Sequence, residues 1–321
     1  MKFKALILAA GKGTRMKSEI LKVAHNIAGT PIVNYVINTV LNLGAEEAIL
    51  IIGHQANLIK KITKHPQVTY ALQKEQLGTG HAVMQTKSLL NLNENETLII
   101  LAGDCPLIKQ ETIENLLAIH KESNASGTIL TTKMPEPANY GRILRGKMGT
   151  VTGIKEAKDC SKKELSIQEI NTGIYCFQSQ QLFKALQNTN NTNKQNEYYL
   201  TDVIHILKQQ GEHIEAYCTP DHNQAIGINT RMDLAKINQI IYKQNNLHFM
   251  QEGVTIIDPQ TTFIDSTVKI GHDTIIYPYT MIEGNSQIGT NCIIKPHTYI
   301  NNGKIKNNQE IPPFSHINAK G

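Results

Sequence analysis

Between residues 264 and 300 isoleucine returns at every sixth position: Ile264, Ile270, Ile276, Ile282, Ile288, Ile294 and Ile300. Four residues after most of them stands a small or β-branched side chain: Val268, Thr274, Thr280, Ser286, Cys292 and Thr298. A period of six matches neither the 3.6-residue helix nor the two-residue strand. It matches a left-handed parallel β-helix, in which three hexapeptides make one coil and each isoleucine stacks beneath the next. Counted in this way the repeat region holds a little over two coils, with Ile311-Pro312-Pro313-Phe314 as a terminal cap. Coils bury one another but leave their ends and flat faces open, so self-association is expected.

The N-terminal part has another grammar. Residues 5–10 form an apolar run long enough for one buried parallel strand and too short for a core helix. The run breaks into Gly11-Lys12-Gly13-Thr14-Arg15, where glycines let the backbone approach a ligand and the N–H groups, Lys12 and Arg15 suit phosphates. The spacing is not that of a Walker loop, and Met16 stands where the dinucleotide fingerprint needs a third glycine. Taken alone, such a turn is equally an ordinary strand ending. Further strands are read at 47–52, 68–72, 98–102 and 213–218, with helices at 55–62, from Thr201 as cap to 210, and at 231–250. Thr30-Pro31 reads as a helix start, and residues 127–177 as strand pieces joined by polar turns. Strands alternating with helices predict an α/β fold with a doubly wound, mostly parallel sheet. The predicted division is 1–228 for this domain, 229–252 for a connecting helix and 253–321 for the β-helix. In such sheets the ligand sits beyond the carboxyl ends of the strands, where Gly11, Gln73 and Asp104 fall.

Composition excludes several other classes. The net charge of +5, from 32 basic and 27 acidic residues, suits small anions, and no basic stripe interleaved with aromatics is present to bind nucleic acid. Five scattered cysteines without a CxxC pair argue against zinc and a disulfide framework, and point to a reducing cytoplasm. The opening MKFKALILAA imitates a signal peptide, but the run is too short and enters charged, glycine-rich sequence, so export is not expected. No stretch approaches the ~20 apolar residues that span a bilayer, so no membrane partner is expected.

Several residues have chemistry suited to the expected crevice. The Gln73 amide can pair with a base edge, and the Gly78-Thr79-Gly80 turn leaves room for a flat ring, although a surface loop entering a helix fits as well. Asp104, after Gly103 and before Pro106, stands where a magnesium ligand would, although a lone aspartate in a turn is commonly a cap. His81 reads as structural and Cys105 as a small apolar filler. Asn229 offers a hard oxygen ligand, with a helix cap as the alternative.

The motifs converge on one family. L-x-x-G-x-G-T-R-M at residues 8–16, followed by Lys22, resembles the signature of sugar-nucleotide pyrophosphorylases. Q-x-x-Q-L-G-T-G-H-A from Gln73 resembles the uracil-binding segment of the N-acetylglucosamine-1-phosphate uridylyltransferases, found in bifunctional bacterial enzymes that also carry an acetyltransferase. The G-D-x-P-L turn at Gly103, the segments around Gly141, Glu156 and Asn171, the E-Y-Y-x-T-D run from Glu197 and G-x-N-x-R at residues 227–231 follow in the family's order. The resemblance implies a Rossmann-like nucleotidyltransferase that makes UDP-N-acetylglucosamine and pyrophosphate from UTP and N-acetylglucosamine 1-phosphate. It implies nucleotide contacts at Leu8, Ala9, Ala10, Gly11, Gly13, Gln73, Gly78 and Thr79, and sugar contacts at Gly103, Gly141, Glu156, Asn171 and Asn229. It further implies Mg2+ on Asp104 and Asn229, catalytic roles for Arg15 and Lys22, and a homo-oligomer with the trimer as the form taken by longer relatives.

There are also departures. Leu21 stands where the family has proline before the lysine, and Ala102 where it has tyrosine, which leaves sugar choice open. The repeat region lacks counterparts of the acetyltransferase's histidine and coenzyme A segments, so that second activity is expected to be absent. A pyrophosphorylase for another sugar or base, and a non-catalytic regulatory subunit, are the competing readings.

Overall fold

In the computed structural model, which describes residues 2–147 and 149–318, the chain divides into two units. The first runs to Ala24 and resumes over Ile32–Asn229; the second takes His25–Pro31 and the chain from Thr230 onward.

The first unit is built on β1 (Lys4–Ala9), β2 (Glu47–Ile52), β3 (Val68–Leu72) and β4 (Thr97–Ala102), with α1 (Ile32–Asn42), α2 (Ala56–Ile62) and α3 (Thr79–Met84) between them. After α4 (Gln110–Glu122) come β5 (Gly127–Lys133), the hairpin of β6 (Arg142–Arg145) and β7 (Val151–Lys155), and α5 (Lys162–Leu165). The unit ends with β8 (Glu169–Gln178), α6 (Ser179–Leu186), α7 (Asp202–Gln209) and β9 (Ile214–Thr219). The sheet order is β9-β5-β8-β4-β1-β2-β3, with β6 paired to β8 and β7 to β6. β1 runs parallel to both β2 and β4, whereas β8 runs antiparallel to β4 and β5.

Both faces of the sheet are covered, which is why the strands read as continuous apolar runs. From β1, Ala5, Ile7 and Ala9 join Val33, Val36, Ile37 and Val40 of α1 in one core. Leu6 and Ala10 join Ala82 and Val83 of α3 and Val203, Ile204 and Leu207 of α7 in the other.

Two local expectations are corrected. Thr30-Pro31 does not start a helix; it pairs antiparallel with Asn26–Ile27 around an Ala28-Gly29 turn, and α1 begins at Ile32. The turn needs positive φ at both residues, 41° and 78°, and a Cβ on Gly29 would collide with the Asp265 carboxylate. The Ala28 N–H donates to Asn238 Oδ1 (2.8 Å) and the Ala28 carbonyl accepts from Ser266 N–H (3.2 Å), so the hairpin is bound within the second unit. Thr201 stands at the N-terminus of α7 but does not cap it: its φ and ψ are helical, and its hydroxyl donates to Glu156 Oε1 at 3.2 Å instead.

The second unit opens with α8 (Arg231–Gln251), held at its start by a capping box in which Thr230 Oγ1 accepts from Asp233 N–H (3.1 Å) and Asp233 Oδ2 accepts from Thr230 N–H (2.8 Å). Thr230, not Asn229, is the cap. Beyond it, short parallel strands stack as a β-helix on three faces. Ile264, Ile282, Ile300 and Ile317 form one ladder, and Ile256, Ile276, Ile294 and Ile311 another. Ile270, Ile288 and Ile305 form the third. The stack exceeds the expected little over two coils: Ile256 joins it ahead of the counted repeats, and beyond Ile300 the period drops from six to five at Ile305 and then resumes. Ile311 continues the coil; it does not open a cap. The interior hydroxyls of Thr280, Ser286 and Thr298 each donate to the carbonyl three residues earlier, at 2.8, 2.6 and 2.7 Å, which lets polar residues fill the corners.

The ladders predict unequal costs. Ile282→Ala, in the fully buried middle of one ladder, should lose about 3 kcal/mol in denaturant unfolding. Ile270→Ala, at a half-buried end, should lose about 1 kcal/mol; equal losses would contradict the stacking.

Candidate active site

β4 and β2 flank β1 on opposite sides, so the windings diverge between β1 and β4, and the loops after them part to open a crevice. A cleft of about 320 Å³ lies there. Its lining contains Leu8, Ala9, Ala10, Gly11, Gly13, Gln73, Gly78 and Thr79, each expected at the nucleotide, together with Lys22, Ala102 and Asp104. Gln76 and Ala82 of the Q-x-x-Q-L-G-T-G-H-A motif, Glu197 of the E-Y-Y run, and Val23 also line it, although no nucleotide contact was expected of them. Gly13 sits at φ +64°, and a Cβ there would come within 2.6 Å of Lys22 Cβ, so this position admits no side chain while Lys22 keeps its place.

A charged cluster stands at one end of the cleft. The Lys22 ammonium donates to Asp104 Oδ2 and also to Asn229 Oδ1 (3.2 Å). Arg15, in the turn Thr14–Met16, donates from Nη2 to the same Asn229 Oδ1 at 2.8 Å. Asn229 is oriented for this by its own amide, whose Nδ2 donates to the Gly227 carbonyl (3.2 Å). The Ile228 N–H donates to the Asp104 carbonyl (3.0 Å), which stitches residues 227–229 to the tip of β4. Four residues expected to act together, Arg15, Lys22, Asp104 and Asn229, thus form one contact network.

The donor set fits a hard divalent cation. A carboxylate oxygen and an amide oxygen converge on one positive charge, that of Lys22, and both are ligands that such ions accept. Among the described residues no group of three or more His, Cys, Asp or Glu could hold a metal, so substrate and water oxygens would complete the shell. Cys105 is buried beside Asp104, and burial pushes its thiol pKa well up, in keeping with a filler role.

Gln73 is buried at the cleft wall, with Nε2 donating to the Gly78 carbonyl (3.0 Å) and facing His81 Nδ1 at 3.1 Å. Its Nε2 hydrogens are thereby committed, and Oε1 is the atom left to read a ligand. His81 is structural in a sharper sense than its sequence suggested, since it orients this amide. Nothing in its spacing from Gln73 discloses that; the loop between them must first fold back.

The expected sugar residues lie outside the lining of this cleft. Gly103 is held beneath it, its N–H donating to the Leu8 carbonyl (2.9 Å). The Asn171 N–H donates to the Gly141 carbonyl (2.9 Å), which joins two of them directly. Because β8 is antiparallel, with Tyr175 opposite Ile100, its first residues extend past the tip of β4. Asn171 accepts from Gly173 N–H (3.1 Å) and donates to Tyr175 Oη (2.6 Å), so part of its amide is used within the protein. Glu156 accepts from Thr201, and burial, with help from Asp159, Asp202 and Glu197, raises its carboxyl pKa.

Comparison with known proteins matches two families along the chain. The Nucleotidyl transferase family profile matches residues 4–246, and the Bacterial transferase hexapeptide (six repeats) profile matches 267–302. The chain is 44% identical to the bifunctional protein GlmU of Halalkalibacterium halodurans over 98% of its own length and 72% of that protein's. It is 44% identical to GlmU of Syntrophomonas wolfei, covering 89% of this chain and 63% of that one, and 48% identical to GlmU of Enterococcus faecalis, covering 88% and 61%. The chain thus spans less than two thirds of the length of some of these relatives. A solved UDP-glucose pyrophosphorylase in complex with UDP-glucose shares the fold, with a TM-score of 0.61 and 18% identity over 76% of this chain and all of that one. With a transferase profile across most of its length and near-half identity to these proteins, the chain belongs to the nucleotidyl transferase family and, within it, to the GlmU group.

Proposed function

We propose that the chain is a cytoplasmic uridylyltransferase that joins UTP to N-acetylglucosamine 1-phosphate, releasing pyrophosphate and UDP-N-acetylglucosamine. The observation that carries this reading is the meeting of Asp104, Asn229 and Lys22 at the end of the cleft walled by the glycine turn. A regulatory subunit without catalysis has no need of a carboxylate and an amide oxygen aimed at one cation. The convergence favours the enzyme.

The sugar phosphate oxygen is already anionic, so attack on the α-phosphorus of UTP needs no general base, and the protein's work is positioning and charge neutralisation. Arg15 and Lys22 supply positive charge for the crowded phosphorus and the departing pyrophosphate. Asp104 and Asn229 would hold magnesium, which supplies further neutralisation between the two phosphates when bound. The backbone of residues 8–11 and 13 leaves space for the nucleotide, and Gln73 Oε1 is an acceptor suited to the N3–H of uracil, a position at which cytosine has no hydrogen to donate. Gly141, Glu156 and Asn171 would take the acetamido and hydroxyl groups of the sugar. The flat faces of the β-helix support a homo-oligomer, read here as a trimer.

Pyrophosphate release requiring UTP, N-acetylglucosamine 1-phosphate and magnesium together tests the reading, and light scattering at three times the 35.7 kDa chain mass tests the trimer. Asp104→Ala should lower kcat by at least a hundredfold, on the order of 3 kcal/mol of barrier, with the fold intact by circular dichroism. Near-normal turnover would remove the metal assignment. Glu156→Gln should raise the KM for sugar phosphate while stabilising the protein. With its pKa raised in the fold, Glu156 holds its proton more tightly native than unfolded, so wild-type stability falls as pH rises through that range. The variant lacks that slope, and melting curves from pH 4 to 8 should show its advantage opening toward neutral pH.

A further inference from the structure

Lys22 reaches Asp104 and Asn229 from the end of an exposed loop. From Lys17, itself at φ +47°, to Leu21 the loop has local ties, such as Ile20 N–H donating to Ser18 Oγ (3.1 Å). Ile20 is half exposed and adds little anchoring, whereas the Leu21 side chain is buried in the core and fixes the end of the loop; the backbone between them has no such hold. The loop is held from outside by Gln55, at the start of α2. Gln55 Oε1 accepts from the Leu21 N–H at 3.2 Å, and Gln55 Nε2 donates to the Glu19 carbonyl at 2.6 Å. One amide therefore grips the backbone at two points, of which the Leu21 N–H lies immediately before Lys22.

The backbone of Gln55 adds an independent observation. It sits at φ 53°, ψ 37°, a left-handed conformation that glycine adopts freely and a residue with a Cβ does not. At that position the local geometry favours glycine, and glutamine brings strain that its own turn does not require. What glutamine adds is the pair of loop hydrogen bonds. Leu21 completes the case, because the bond needs a backbone N–H at this position, which any residue but proline supplies. Here the N–H exists, and Gln55 takes it.

We propose that Gln55 is a positioning residue for the transfer reaction, a clasp that sets the loop so that the Lys22 ammonium stands at the Asp104–Asn229 pair. It touches no substrate, and the assignment rests on the function proposed above. The clasp acts on where Lys22 spends its time, so it should show in turnover more than in substrate affinity.

The test is Gln55→Gly, which removes the clasp and relieves the strain together, beside Gln55→Leu, which removes the clasp and keeps the strain. In pyrophosphate-release assays on the full chain, both should lose about tenfold in kcat with a smaller change in KM for UTP. The melting temperature of Gln55→Gly should stay level or rise, while that of Gln55→Leu falls. In the protein without substrates, reductive methylation mapped by mass spectrometry should label Lys22 faster in both variants than in the wild type. A Gln55→Gly protein with native kcat and native Lys22 labelling would overturn the clasp, as would activity lost only in step with melting temperature in both variants. If the wild type releases no pyrophosphate while Lys22 labelling still rises in the variants, the clasp stands and the enzymatic reading falls.

Discussion

One ammonium group draws together parts of the chain that are far apart in sequence. Lys22 donates to Asp104 at the tip of β4 and to Asn229 near the end of the first unit, and Arg15 joins through the same asparagine oxygen. Each group needs the others. Two oxygens facing one another without a cation would repel, and a half-buried lysine without them would lack partners for its charge. The cluster is therefore held together as a set by the charge that its members share.

The sheet makes that set possible. Two cores, one on each face, hold β1 and β4 rigidly side by side, while the connections that follow diverge. The antiparallel insertion of β8 brings the start of a strand, with Asn171, to the edge where the other strands end. A purely parallel sheet would have put that residue at the opposite edge. Further out, control passes to side chains that touch no ligand: His81 orients the Gln73 amide, Thr201 supports Glu156, and Gln55 ties the loop that carries Lys22.

Legibility followed the range of the interaction. The strand of residues 47–52 and the isoleucine ladders were readable because burial on both faces, or inside a coil, writes a local period. The glycine turn, with Gly11 and Gly13 at the cleft, was readable because a backbone approach demands glycine at particular places. Thr30-Pro31 misled because a proline fits the end of a short strand as well as the first turn of a helix, and the deciding contacts come from Asn238 and Ser266, more than 200 residues away. Thr201 misled because its φ and ψ are already helical, so its hydroxyl accepts from no N–H of the helix and donates to Glu156 instead. The one-residue shortening after Ile300 hid the continuation of the stack, since a strict count of six stops there.

What the amino-acid order determined by itself is the alternation of buried strands and helices, the coil repeat and the kinds of side chain available for a phosphate reaction. Those follow from local sterics and from where apolar atoms must hide. Which oxygen faces which cation was decided only in three dimensions: that Asn229 turns to Lys22 while Thr230 caps the helix, that His81 aims at Gln73, and that His25–Pro31 joins the second unit. The reason is range. Hydrogen bonds and ion pairs act over a few ångströms, and sequence separation does not say which groups the folded core will bring that close.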